Sequence, residues 1–407
     1  MKIWIWNTAA LLTVAGLALA LPKLTAGESR SRVAPYRYRV TPESDSDLAF
    51  LRERIARSPE GLDLAILAGA YLKKAKATGQ SQWIDQAEEA ARRSLERLPV
   101  CNAAAPLALA RAAQMRHDFD RSIQLCDQVL REKPQESGAW ALKATALLGL
   151  GRLEEALVAA DVLVDRVPLT EHLALRAVIL ASRGEEREAL HDFRKAWSVE
   201  EPGDPEGSAW LRAMWARLSL QRGRLEEAED LLQEALRIRP FHGLALGLLG
   251  DLDRERGDLD AADRHYAAAY QSTGDPVFLA RRARVRSGSA ARELRSAAEK
   301  ALREAPGHRI QLARVLLELG TPESASEALS IAEAELGKRR NAETLDVLAR
   351  ARLAAGRLPE ARQAVREALR TGIRDASLYQ LAAEIETRLG SASRAEMYRA
   401  AAQDLRP

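Results

Sequence analysis

Gly151-Arg-Leu-Glu-Glu-Ala156 recurs letter for letter at Gly223-Arg-Leu-Glu-Glu-Ala228, and looser copies start at Gly184, Gly257, Gly356 and Gly390, each with alanine five residues after the glycine. Successive glycines stand 33, 39, 34, 99 and 34 residues apart, the long interval being three periods. A ruler of this length marks stacked copies of one supersecondary unit. The residue types say which unit. Glycine tolerates the positive φ that ends a helix, and an acidic pair just after it suits the first turn of the next helix, where the macrodipole favours negative charge. Pro359, inside the copy at Gly356, fits an early helical position, where no hydrogen bond is lost. The hexapeptide is therefore expected to be the turn of a helical hairpin.

Working outward, residues 137–168 carry Trp140, Ala144, Leu147, Gly151, Ala156, Ala160, Leu163 and Pro168. In type and spacing this unit resembles the tetratricopeptide repeat family. The resemblance implies an all-α superhelix, a solenoid of antiparallel helix hairpins in which small residues let paired helices approach and large ones fill the gap to the next pair. Good copies lie at 170–203, 209–240, 243–274, 342–375 and 376–407, and weaker ones at 103–134, which lacks the turn glycine, at 275–306 and at 306–338, with about three extra residues around Thr321. A further weak unit at 61–99 carries about seven extra residues between Lys73 and Trp83, expected to form a protruding loop. About ten units thus span 61–407 and leave no room in that span for a separate catalytic domain. Glu200 to Gly207 is expected to be a joint between two units.

Composition agrees with thin helical layers: 47% hydrophobic but only 5% aromatic, so alanine and leucine must build the core. The net charge of +3 over 407 residues, with basic and acidic residues interleaved along the helices, points away from nucleic acid as a partner. Ahead of the repeats, Ile3 to Leu21 are mostly apolar and end near Ala18-Leu19-Ala20, so residues 1–22 are expected to be a bacterial-type signal peptide or membrane anchor. The protein would then be periplasmic or secreted, or anchored, with membrane contact only through residues 3–21 if these stay uncleaved. Lys23, Arg30, Arg32, Arg37 and Arg39 follow the segment, and the positive-inside rule leaves a cytoplasm-facing anchor open. Residues 23–45 read as a flexible linker, and 46–60 as a helix with Leu48, Leu51 and Ile55 on one face, capping the first hairpin.

Patterns that carry chemistry are sparse along the whole chain. Cys101 and Cys126 form no Cys-x-x-Cys, and the six histidines show no pair at helical ligand spacing. Asp251-Leu-Asp253 and Asp258-Leu-Asp260 lack the glycine and distal glutamate of a calcium loop. Phosphate-loop and nucleophile-elbow motifs are missing as well. No catalytic residue, metal or cofactor is expected, and the chain is read as a non-enzyme. What is left is surface. The resemblance implies that the first helices of successive hairpins line a concave groove that takes an extended peptide or a partner helix. Position nine of those helices falls on Arg111, Arg217, Arg314 and Arg350, and position twelve on Arg254 and Arg286. A guanidinium can fork onto carboxylates, so these six arginines are the candidate peptide-binding residues. The expected function is a protein-interaction scaffold or adaptor. The alternative is an accessory chaperone or regulatory subunit that positions a separately encoded envelope enzyme or secretion complex.

Overall fold

The computed structural model describes residues 33–38, 46–371, 373 and 375–405; the segment expected to be a signal or anchor lies outside them. Among the described residues there are only helices, turns and irregular segments. Helix α1 spans Ser46–Arg57, and ten hairpins follow. The first five are α2 (Gly61–Thr78) with α3 (Gln82–Arg97), α4 (Ala104–Met115) with α5 (Phe119–Glu132), α6 (Ser137–Leu150) with α7 (Leu153–Arg166), α8 (Thr170–Ser182) with α9 (Glu186–Ser198), and α10 (Pro205–Gln221) with α11 (Leu225–Ile238). The second five are α12 (Gly243–Glu255) with α13 (Leu259–Thr273), α14 (Val277–Val285) with α15 (Gly288–Glu304), α16 (Arg309–Leu319) with α17 (Pro322–Leu336), α18 (Ala342–Ala354) with α19 (Leu358–Arg370), and α20 (Ala376–Arg388) with α21 (Ala392–Asp404). Even numbers are thus first helices and odd numbers second helices.

The hexapeptide does what its chemistry predicts. Gly151 caps α6 at φ +79°, its N–H and that of Arg152 return to the carbonyls of Leu148 and Leu147, and Glu154 and Glu155 occupy the first turn of α7. Where helices of one hairpin meet, alanines are fully buried: Ala144 on α6 faces Ala156 and Ala160 on α7 in one cluster with Leu147 and Leu163. Between hairpins the larger side chains carry the contact, as where Phe193 of α9 stacks on Trp215 of α10 with ring centroids 6.0 Å apart. Burying such a ring is worth about 2–3 kcal/mol. The second hairpin has no turn glycine, and His117 itself adopts the left-handed conformation at φ +59°.

Two expectations about loops are corrected. The extra residues after Lys73 do not protrude; they prolong α2 to 18 residues, ended by Gly79 at φ +67°, and Trp83 folds back to stack on Tyr71. Likewise, the turn at Thr321 is tight, closed by a reciprocal Thr321–Ser324 capping box with Pro322 in the first turn of α17. Helix α1 lays Leu48, Leu51 and Ile55 on the first hairpin.

First helices of neighbouring hairpins pack against one another along the stack, as α2 does α4, α10 does α12 and α16 does α18, whereas second helices pack less closely and reach one another through long side chains, as Arg303 on α15 does Glu327 on α17. The stack therefore curves with its first helices inside. It curves far enough to meet itself. The turn of the first hairpin at Gly79 abuts Thr273, that of the second at His117 lies against Gly307 and His308, and Asn341 Nδ2 donates to Gly149 O at the turn of the third, 2.7 Å away and 192 residues along the chain. The turn of each early hairpin thus rests on the junction that follows the fifth hairpin after it. This seam joins one superhelical turn to the next. Lys76 adds an ion pair across to Glu206 at 2.9 Å.

Candidate binding groove on the concave face

All four arginines at position nine sit on first helices, Arg111 on α4, Arg217 on α10, Arg314 on α16 and Arg350 on α18, hence on the inner side of the curve. Only two of them come together. Arg314 NH2 lies 3.2 Å from Asp346 Oδ2 and Arg350 Nε lies 2.9 Å from Asp346 Oδ1, so one carboxylate on α18 bridges guanidiniums of neighbouring hairpins. Arg111 and Arg217 are exposed, and no acid pairs with either among the described residues. They stand on the second and fifth hairpins, apart from the other pair. Arg254 pairs with its neighbour Glu255 at 2.8 Å.

Arg286 departs from the expected groove lining. Helix α14 is only nine residues long, so this residue falls at its C-cap and swings onto α13, where it bonds Asp260 and Asp263. Burial alone would raise the Asp263 carboxyl, but hydrogen bonds from Arg282 and Arg286 outweigh it and hold the group below the ordinary carboxylate range. That triad joins hairpins; it presents no free guanidinium to a ligand.

Around Arg314 and Arg350 the first helices α14, α16, α18 and α20 enclose a cavity of about 490 Å³. Register reading missed its other charged walls. Arg284 of α14 pairs with Glu318 of α16, and Arg388 with Glu384 on α20 at 2.8 Å. Four guanidiniums therefore face three carboxylates, with Leu317, Leu353 and Leu381 between them. A signal for one of these pairs exists in the sequence: Glu318 lies 34 residues after Arg284, so opposite charges occupy one repeat position in successive units, while Arg388 and Glu384 are spaced one helical turn apart. A second cavity, about 420 Å³, opens between α7, α8 and α9, but its Arg176 is already forked onto the nearly buried Asp192 and held by Asp161. Of the two, the inner cavity offers the shared, half-exposed arginines.

Curved hairpins with a charged inner cavity define an all-helical repeat solenoid. Residues 113–179 and 213–277 each match a family model described as tetratricopeptide repeat. No curated protein matches it. Among solved structures it is similar to a human IFIT1 dimer with PPP-AAAA, at 15% identity over 89% of this chain and 95% of that one with a TM-score of 0.48. It is also similar to a human IFIT1 dimer with m7Gppp-AAAA, at 13% identity over 89% and 96% with a TM-score of 0.47. Among the described residues no helix is long and apolar enough to cross a membrane.

Proposed function

We propose that the protein is a non-enzymatic interaction scaffold that holds an acidic segment of a partner protein in the concave groove of its last four hairpins. The observation that carries this reading is the shared carboxylate: Asp346 serves both Arg314 and Arg350 at the wall of the 490 Å³ cavity. Half-exposed ion pairs are worth only about 0.2–1 kcal/mol, so an incoming carboxylate can take over one guanidinium at small cost and gain a fork of its own. Leucines between the charged rows supply apolar contact for the rest of the segment.

The test uses a labelled dodecapeptide of alternating glutamate and leucine, with a single-stranded RNA of equal length as the competing probe. The peptide should bind the full chain, and Arg314→Glu with Arg350→Glu should weaken it on the order of tenfold or more, roughly 1.4 kcal/mol, with less effect at high salt. Arg217→Glu, which changes charge on another hairpin, should leave binding unaltered. Equal binding by the double variant, or RNA held by these arginines in place of the peptide, would refute the proposal.

A further inference from the structure

We propose that the junction of the fourth and fifth hairpins is a peptide-binding site, separate from the concave groove, and that its ligand is a strap of the chain itself, residues 33–38, held in cis. The strap reads Val-Ala-Pro-Tyr-Arg-Tyr and lies between the C-terminal turns of the second helices α9 and α11, where the linker from α9 to α10 opens the stack.

Four main-chain groups in a row on the strap are each met by a side chain of the solenoid. Arg212 Nε donates to Ala34 O at 2.7 Å, and Trp197 Nε1 to Pro35 O at 3.1 Å. The Tyr36 N–H donates to Glu234 Oε1 at 2.6 Å, and Arg237 NH2 to Tyr36 O at 3.1 Å. Reading backbone with side chains is how proteins hold extended peptides, because it satisfies polar groups that would otherwise be buried unpaired. Side chains add selectivity. Ala34 and Tyr36 are buried, the Tyr36 ring lies 5.6 Å from the Arg212 guanidinium, Arg37 sits over the Trp197 ring, and Tyr38 donates its hydroxyl to Glu200 O at 2.6 Å.

The floor of the site is wired by bonds within the solenoid itself. Arg212 and Glu200 form a two-point ion pair whose side chains are 0% and 1% exposed, and Arg212 also donates to Ser208 O. Such a pair is costly to bury, and replacing it by apolar residues often stabilises a protein. With Nη1 and Nη2 held by Glu200 and Ser208, the Nε donor is directed at the strap carbonyl. The chemistry the site takes is therefore a small residue that turns the backbone at a φ of +49°, then proline and tyrosine, followed by a basic residue and a second tyrosine.

The experiment titrates a fluorescein-labelled peptide of sequence Val-Ala-Pro-Tyr-Arg-Tyr into the full chain and follows anisotropy. Tethering gives the strap a millimolar effective concentration, so micromolar peptide should fail to enter the wild type. The variant Tyr36→Ala with Tyr38→Ala should capture it at least about tenfold more tightly than wild type does, and adding Arg237→Ala should reduce that capture again. Circular dichroism checks that the variants remain helical. A folded strap variant that captures no peptide, or a wild type that captures it equally well, overturns the proposal. Loss of helicity in the variants shifts the decision to hydrogen exchange of the wild type: the Tyr36 amide should be protected, and exchange at the unprotected rate overturns it. Reversible wild-type dimers that vanish in the strap variant would overturn the assignment in cis.

Discussion

Acid should open the seam between superhelical turns, and one imidazole should account for most of the response. His117 stands in the strained turn of the second hairpin, with the His308 ring 5.7 Å away and Arg339 NH1 3.4 Å from its Nδ1. Burial, then the charge of Arg339, then His308, pull its pKa from 6.5 down to about 4. Neutral His117 accepts from Arg339; once protonated it loses that acceptor and sets a cation against a guanidinium. The sign follows from proton counting. Above pH 6.5 the imidazole is neutral whether the seam is closed or open, so the contact has its full stability. Below 6.5 the open form binds a proton that the closed form refuses, and stability falls until about pH 4, where the closed form titrates too. At 1.36 kcal/mol per pKa unit, a fall from pH 7.5 to pH 5 costs the seam about 2 kcal/mol, out of roughly 3 for the whole shift. Urea unfolding at both pH values, followed by exchange protection at the Gly149 to Gly151 turn, should show this loss in wild type. His117→Phe keeps a ring against Gly307 and should lose about 2 kcal/mol less over the same interval. His242, whose pKa burial also lowers, stays in both proteins, so the difference isolates His117. A wild type and variant that soften equally would refute the reasoning.

Two further outcomes are expected. Phe193→Ala, at the fully buried stack between the fourth and fifth hairpins, should cost about 3–5 kcal/mol in urea unfolding, and a loss under 1 kcal/mol would mean that Trp215 does not rely on it. Gly151→Ala puts a Cβ 2.7 Å from Asn341 Cα on a backbone at φ +79°, so it should lower stability by about 1–2 kcal/mol through the turn alone and loosen the seam as well. Gly356→Ala, at φ +73° with nothing near its absent Cβ, should show the turn cost without the seam effect, and thermal melts of the pair would separate the two.

Periodicity made the hairpins legible. Gly151 and Gly223 set the register, and that register by itself places Arg314 and Arg350 on inner helices. Register failed where helix length departs from the repeat. A nine-residue α14 sends Arg286 past its helix end and onto α13, and the local signal for that stop is Ser287-Gly288, an N-cap residue followed by a glycine at φ +64°. Opposite charge at equal positions one repeat apart would have found Glu318 for Arg284, whereas Arg350 and Arg388 take partners one turn back on their own helices, Asp346 and Glu384. The seam and the strap are different. His117 meets His308, and Tyr36 meets Glu234, across 191 and 198 residues, through the accumulated rotation of many hairpins, a quantity to which no local pattern refers. His117 did leave one trace, as the hairpin turn without glycine.

A helical-repeat stack usually behaves as an open spring: it stretches freely, and a partner can be laid in from the side. Here the coils touch at Gly79, His117 and Asn341, so the spring is already at its solid length over the early hairpins. Compression meets packed backbone, extension must first break the seam, and the bore stays constant while it holds. Along that stretch the proposed acidic segment would have to be threaded from an end as an extended chain, while the last hairpin lies beyond the contacts.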